Sequence, residues 1–228
     1  MDNFIRVLST LALKGAVHSL AAEYQAASGV RIDADFAPTL ALLDRLRGGE
    51  IADVVILTHE GLEQLAREGS VAAESCVDLA RSFVGIAVRA GAAHPDIATE
   101  AALRATLLGA RCVAYSRLGA SGIFFAQLIE RLGIASDINA RAMIIPQGFT
   151  AERLVSGEAD IAVQQISELK QVRGIEVVGP IPRELQIPAV FSVGRMAASE
   201  RGDQADRLLR FLASAEVAPI LRDSGLEP

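Results

Sequence analysis

Short apolar runs alternate along this chain with longer stretches whose apolar residues recur every three or four positions. That is the pattern of strands exchanging with amphipathic helices. Residues 5–9 form a run of the first kind. Over residues 13–27, Val17, Leu20, Ala21 and Tyr24 share one helical face, and Ser28-Gly29 ends it. Residues 30–36 then read as a strand, 40–47 as a helix closed by Gly48-Gly49, 52–57 as a strand and 60–67 as a helix. A β-α-β-α-β order predicts a parallel sheet covered by helices. Ligands of such sheets gather beyond the carboxyl ends of the strands, where Ser9, Thr10 and Thr39 fall.

The pattern changes near Ser82. Residues 83–89 form a strand without a close helical partner, followed by the turn Gly91-Ala92-Ala93-His94-Pro95. A second alternation follows: helix 99–108, strand 112–115, helix 123–131, strand 142–145, helix 150–155 and strand 161–163. Strands 177–181 and 189–193 are separated by proline-containing turns, and helices 203–212 and 216–223 complete the chain. The expected architecture is α/β, with residues 1–82 plus 184–228 in one lobe and 83–183 in the other. The crossings at 83–89 and 189–193 place a ligand cleft between the lobes.

The stretch around residues 113–133 has the clearest chemistry. An apolar strand runs into the small-residue loop Ser116-Arg117-Leu118-Gly119-Ala120-Ser121-Gly122 and then into a helix that Gly133 stops. A strand, a Gly/Ser loop and a helix start leave backbone N–H groups pointing at one spot, where the helix dipole also favours an anion. Ser116 and Ser121 add hydroxyls, and Arg117 adds a charged fork suited to carboxylates. An ordinary strand-to-helix turn capped by Ser121 has the same residues, so the loop alone does not decide between the two.

Composition narrows the partners. The 228 residues carry a formal charge of −6, with the basic residues dispersed, which argues against nucleic acid. No apolar run reaches the length of a membrane span, so no membrane insertion is expected. Cys76 and Cys112 are too few and too far apart for a disulfide framework or a metal signature. His18, His59 and His94 form no paired ligand motif, so neither a metal nor a cofactor is implied. The chain opens on Met1-Asp2-Asn3 without a basic leader, which points to the cytoplasm if Met1 is the native start and to the periplasm if a leader has been trimmed.

Several phrases then carry a resemblance: Leu20-Ala21-Ala22-Glu23-Tyr24, Gly48-Gly49-Glu50-Ile51-Ala52-Asp53-Val54-Val55-Ile56, Ala120-Ser121-Gly122-Ile123, Arg131-Leu132-Gly133 and Gly157-Glu158-Ala159-Asp160-Ile161-Ala162-Val163. In that order the chain resembles the type II periplasmic solute-binding proteins, particularly their molybdate-binding branch. The resemblance implies a small anion held by hydroxyls and backbone N–H groups, with Thr39 as one hydroxyl, Ser121 as a helix-start donor and Gly148-Phe149 as a second donor loop. The sequence departs from the family where Ala12 replaces a first-loop serine, and where Gln164 and Gln165 replace a tyrosine after the Ile-Ala-Val strand. With Arg117, these departures point to a small organic carboxylate rather than molybdate. A transporter partner is doubtful without a secretion signal. Some relatives of this branch resemble isomerases of unsaturated tricarboxylates such as aconitate, which is the alternative function. Lys14 or His18 could then act as a base if turned to the cleft.

Overall fold

The computed structural model describes residues 3–228; Met1 and Asp2, on which the reading of the chain start rests, lie outside them. Strand β1 (Phe4–Ser9) leads through a short 3-10 turn into helix α1 (Lys14–Ser28). Then follow β2 (Arg31–Phe36), α2 (Thr39–Arg47), β3 (Val54–Thr58), α3 (His59–Arg67) and β4 (Val77–Ser82). The next segment holds β5 (Val84–Arg89), α4 (Glu100–Gly109), β6 (Val113–Ser116), α5 (Ala120–Arg131), α6 (Ala135–Asn139) and β7 (Met143–Ile145). It continues with α7 (Glu152–Val155), β8 (Ile161–Gln165), α8 (Ile166–Leu169) and β9 (Ile175–Pro180). Strand β10 (Ala189–Arg195), α9 (Gly202–Leu212) and α10 (Ala218–Asp223) close the chain.

These elements make two compact α/β units. One comprises the chain up to Ser82 together with Ala189–Pro228, the other Phe83–Pro188. Each has its own five-stranded sheet, so the expectation of two lobes rather than one continuous sheet holds. Residues 184–188, assigned to the first lobe from sequence, pack in the second instead. There the buried Gln186 accepts a hydrogen bond from the Val84 N–H (2.9 Å) and donates one to the Val84 carbonyl (3.2 Å).

The first sheet has strand order β2-β1-β3-β10-β4; β1 pairs in parallel with β2 and β3, while β10 runs antiparallel to both β3 and β4. Strand β4 was not expected, because its six residues mix exposed and buried positions at a sheet edge and show no clean alternation. Alternation along the inner strands sends side chains to two covered faces. Ile5, Val7, Val54 and Ile56 join Leu20, Tyr24, Leu208 and Leu212 of α1 and α9 on one face. Leu8, Val55 and Leu57 join Leu42, Leu43, Leu62 and Leu65 of α2 and α3 on the other.

The second sheet has order β7-β6-β8-β5-β9, with β6 parallel to β7 and β8 and β5 antiparallel to β8 and β9. Its two faces differ in side-chain size. Ile86, Val113, Tyr115 and Val163 meet Leu103, Leu107, Phe125 and Leu128 of α4 and α5. Ala87, Ala114 and Ala162 face Ala151, Leu154 and Leu169 on the other side, which lets the short helices α7 and α8 lie close to the strands. Cys112 is a small buried member of that second face. Neither α6 nor α8 was expected, since five or four residues are too few to display a helical period. Among the described residues no helix is long and apolar enough to cross a membrane.

Packing should dominate stability. Phe125→Ala, at a fully buried ring against Tyr115, is expected to cost about 3–5 kcal/mol in urea denaturation. Ile187→Ala, at a side chain 89 % exposed, should change stability by less than about 0.5 kcal/mol.

Candidate functional site

In the second unit, β6, β7 and β8 run parallel and end at the same edge of the sheet, which places Ser116, the 146–150 loop and Gln164-Gln165 together. The loop after β6 is tied to β7 by the Arg117 N–H donating to the Ile145 carbonyl (2.9 Å). Helix α5 then starts at Ala120 with Gly119 as its N-cap and no side-chain cap, so the alternative of a Ser121-capped turn does not hold. Gly122 is needed for this approach: a Cβ there would lie 1.8 Å from the Ser116 carbonyl oxygen and 2.6 Å from its hydroxyl. The helix start is thereby pressed onto the strand end; the Gly122 and Ile123 N–H groups both donate to the Gly119 carbonyl (3.0 and 3.1 Å), and only the N–H groups ahead of them lie outside the helical ladder.

The side chains around that start are deeply buried and incomplete. Ser116 is 3 % and Ser121 1 % exposed, and neither Oγ atom has a hydrogen-bond partner. Buried hydroxyls are nearly always satisfied in folded proteins, so two without partners at one helix start stand out. Arg117 is exposed in the loop after β6. Gly148 turns the third loop with φ of 89°, a left-handed conformation suited to glycine, and Phe149 follows half-buried.

Gln164 and Gln165 are both buried at the end of β8. The Gln164 amide, expected to face a ligand, is directed into the protein. Its Oε1 accepts from the Thr150 N–H (2.8 Å) and the Thr150 hydroxyl (3.0 Å), and its Nε2 donates to the Gly148 carbonyl (3.0 Å). Gln164 is therefore a brace for the Gly148–Thr150 loop.

Sequence reading missed Glu168, one helical turn further on. It is 7 % exposed, accepts from the Gln165 N–H (3.3 Å) and is hydrogen-bonded by the Gln164 side chain. Burial pushes its carboxyl up to about 8, against the opposing pull of those two hydrogen bonds. The available signal was the spacing Gln165-x-x-Glu168, which resembles a helix-start capping pair.

In the first unit, Ser9, Thr10 and Thr39 collect at the carboxyl end of β1 and β2. The Thr10 N–H donates to the Ile56 carbonyl (2.9 Å) and the Ala37 N–H to the Ser9 carbonyl (3.1 Å), so neighbouring strands hold this edge. The Ser9 hydroxyl donates to the Thr10 carbonyl (3.1 Å), whereas the buried Thr10 hydroxyl has no partner. Thr39 is the buried first residue of α2, a helix also without a side-chain cap. Lys14 Nζ lies 5.8 Å from the Phe36 ring centroid, and His18 meets the same ring edge-on at 5.1 Å. Partial burial and then the Lys14 charge lower the His18 pKa by disfavouring its charged form.

Elsewhere in this unit His59 Nδ1 lies 2.9 Å from Asp78, and the Ser192 hydroxyl donates to Asp78 (2.6 Å). His59 Nδ1 also lies 3.4 Å from the Ser192 hydroxyl, but that hydroxyl donates to the acid at the shorter distance and the same Nδ1 is engaged with Asp78, so the three do not form the serine-histidine-acid relay of a hydrolase.

Glu168 gives the unit a specific pH response. Its carboxyl titrates at about 8 when folded and at the usual 4.5 or so when unfolded, so the unfolded chain holds fewer protons between those values. This contribution to stability is complete below 4.5 and is lost as pH rises towards 8. Glu168→Gln should gain stability relative to wild type by roughly 1.4 kcal/mol per pH unit in that window, read by urea denaturation at several pH values. A stability difference that does not vary with pH would remove Glu168 as the cause.

Comparison with known proteins agrees with this architecture. Residues 5–227 match the model of a family described as bacterial extracellular solute-binding protein. An aconitate isomerase of a Pseudomonas species is 37 % identical over 230 residues, covering 98 % of this chain and 87 % of the relative. The periplasmic molybdate-binding protein of Azotobacter vinelandii superposes with a TM-score of 0.83 at 16 % identity, covering 98 % of this chain and 99 % of that one. The sulfate-binding protein SubI of Mycobacterium tuberculosis does so with a TM-score of 0.76 at 16 % identity, over 99 % of this chain and 87 % of that one. At these identities the two structures show a shared fold. The family match and the 37 % identical relative, each spanning nearly the whole chain, place this protein in the bacterial extracellular solute-binding family.

Proposed function

We propose that the protein binds a small organic polycarboxylate at the carboxyl-terminal edge of the second unit's sheet. The observation that carries this reading is the pair of buried, unpartnered hydroxyls of Ser116 and Ser121 at the uncapped start of α5. Leaving a buried hydroxyl unsatisfied costs roughly 1–3 kcal/mol, a deficit that a bound oxyanion removes. Helix-start N–H groups complete the donor set without bringing in another charge. Arg117 selects within the class of anions. Its planar fork matches a second carboxylate held at fixed distance from the first. The named activity of the 37 % identical relative supports a polycarboxylate, since aconitate is a tricarboxylate.

A second reading, that the bound acid is isomerised, is favoured by the same relative. Shifting a double bond in such an acid requires one group to take a proton from carbon and return one to another carbon. Incubation in deuterated water separates the two readings: deuterium in the carbon skeleton supports turnover, and unchanged ligand supports binding alone.

A thermal-shift screen of di- and tricarboxylates, molybdate, tungstate, sulfate and phosphate tests the ligand class. A polycarboxylate at about 100 times its dissociation constant should stabilise the fold by roughly 2.7 kcal/mol. Response to molybdate or tungstate alone would overturn the carboxylate assignment. Arg117→Ala should then weaken the binding of the hit by about 1.5–3 kcal/mol in calorimetry, while Leu118→Ala beside it changes affinity little. Gly122→Ala should abolish binding by driving α5 away from β6.

A further inference from the structure

Behind the Gly148–Thr150 loop lies a closed chain of polar contacts that the ligand reading does not use. Gln164 is its hub. Three of its contacts hold the loop: Thr150 N–H and hydroxyl to Oε1, and Nε2 to the Gly148 carbonyl. The fourth goes to the Glu168 carboxyl, so a primary amide's two acceptor positions and two N–H groups are all engaged. The Thr150 hydroxyl also approaches the Val163 carbonyl (3.4 Å), which ties the loop to the body of β8. Both glutamines, Glu168 and Thr150 are buried, so bulk water does not compete for these bonds.

We propose that Glu168 is a positioning residue that acts through Gln164 on the Gly148–Thr150 loop, and so couples anion binding at this sheet edge to the state of its own proton. This rests on the reading of the edge as an anion site. A neutral carboxyl accepts weakly from the Gln164 amide and leaves that amide shared with the loop. An ionised carboxylate accepts about twice as strongly. It draws the amide N–H groups towards itself and loosens the grip on the Gly148 carbonyl. A new buried negative charge behind the site also opposes an anionic ligand.

The surroundings single out Glu168 as the group that titrates. Helix α8 packs on β5, β8 and β9, whose ionisable residues are Arg89 and Glu176. Both are exposed and sit at the far end of their strands, where Val88 pairs with Glu176 and Arg89 with Ile175; Val84 pairs with Gln165 at the near end. Glu176 is held by His94 Nε2 at 2.8 Å. Lys170 on the neighbouring turn is exposed, and Glu152 and Arg153 belong to α7. None of these charges is among the causes of the shift at Glu168, which are burial and the hydrogen bonds from Gln165 and Gln164.

The test follows backbone amide resonances of Gly148, Phe149 and Thr150, with the Gln164 side-chain amide, in ligand-free protein from pH 6 to 9. They should shift together with one midpoint near 8 in wild type and stay flat in Glu168→Gln. Loop resonances that ignore pH in wild type, or that titrate identically in the variant, would overturn the proposal. A parallel arm measures affinity for propane-1,2,3-tricarboxylate. Wild type should lose about tenfold between pH 7 and 9, or about 1.4 kcal/mol, and Glu168→Gln less than about twofold. Tricarboxylate that binds neither protein at any pH counts against the ligand reading, while the loop titration still decides the role of Glu168. Equal pH dependence of affinity in both proteins, with binding intact, counts against Glu168.

Discussion

The candidate site depends on how closely α5 approaches the end of β6. The contact is possible because position 122 has no side chain: the space a Cβ would need is occupied by the Ser116 carbonyl. Once the helix start is pressed there, the hydroxyls of Ser116 and Ser121 are buried without a partner beside a helix start that no side chain caps. A larger residue would separate helix from strand and disperse those groups. The unsatisfied chemistry is therefore a product of tight packing.

The rest of the second unit makes that approach rigid. One face of its sheet carries large side chains under α4 and α5, where Tyr115 and Phe125 meet edge to face at 5.1 Å. The other face is lined by alanines, so α8 lies near enough for Glu168 to accept from the Gln165 N–H at the end of β8 (3.3 Å). Gly85 shows how near: a Cβ there would come within 2.6 Å of Ile166. Alanine on the strands is thus a condition for the Gln164–Glu168 contact and not mere filler. The first unit ends its sheet with the same kind of chemistry, a buried Thr10 hydroxyl without a partner beside an uncapped helix that begins at Thr39.

Gln164 shows where residue-type reasoning stops. A glutamine at the carboxyl end of a buried strand suits ligand recognition and internal bracing equally well. What separates them is direction, and here the amide turns back on Thr150 and Gly148. Arg117, by contrast, is exposed in the loop after β6.

Local pattern alone determined most strands and long helices of this protein, the break near Ser82 and the position of the loop 116–122, because each is set by periodicity or by the backbone demands of glycine over a few residues. Position relative to strand ends also determined that Ser9, Thr10, Thr39, Ser116 and Ser121 gather at sheet edges. Tertiary structure decided everything that depends on partners distant in sequence. It assigned residues 184–188 to the second unit through Gln186 and Val84, and it paired β4 as an edge strand with β10. It also buried Glu168 far enough to hold its proton near neutral pH. A carboxyl's desolvation is fixed by the atoms that surround it in space, and the chain order of Gln164, Gln165 and Glu168 says nothing of those atoms.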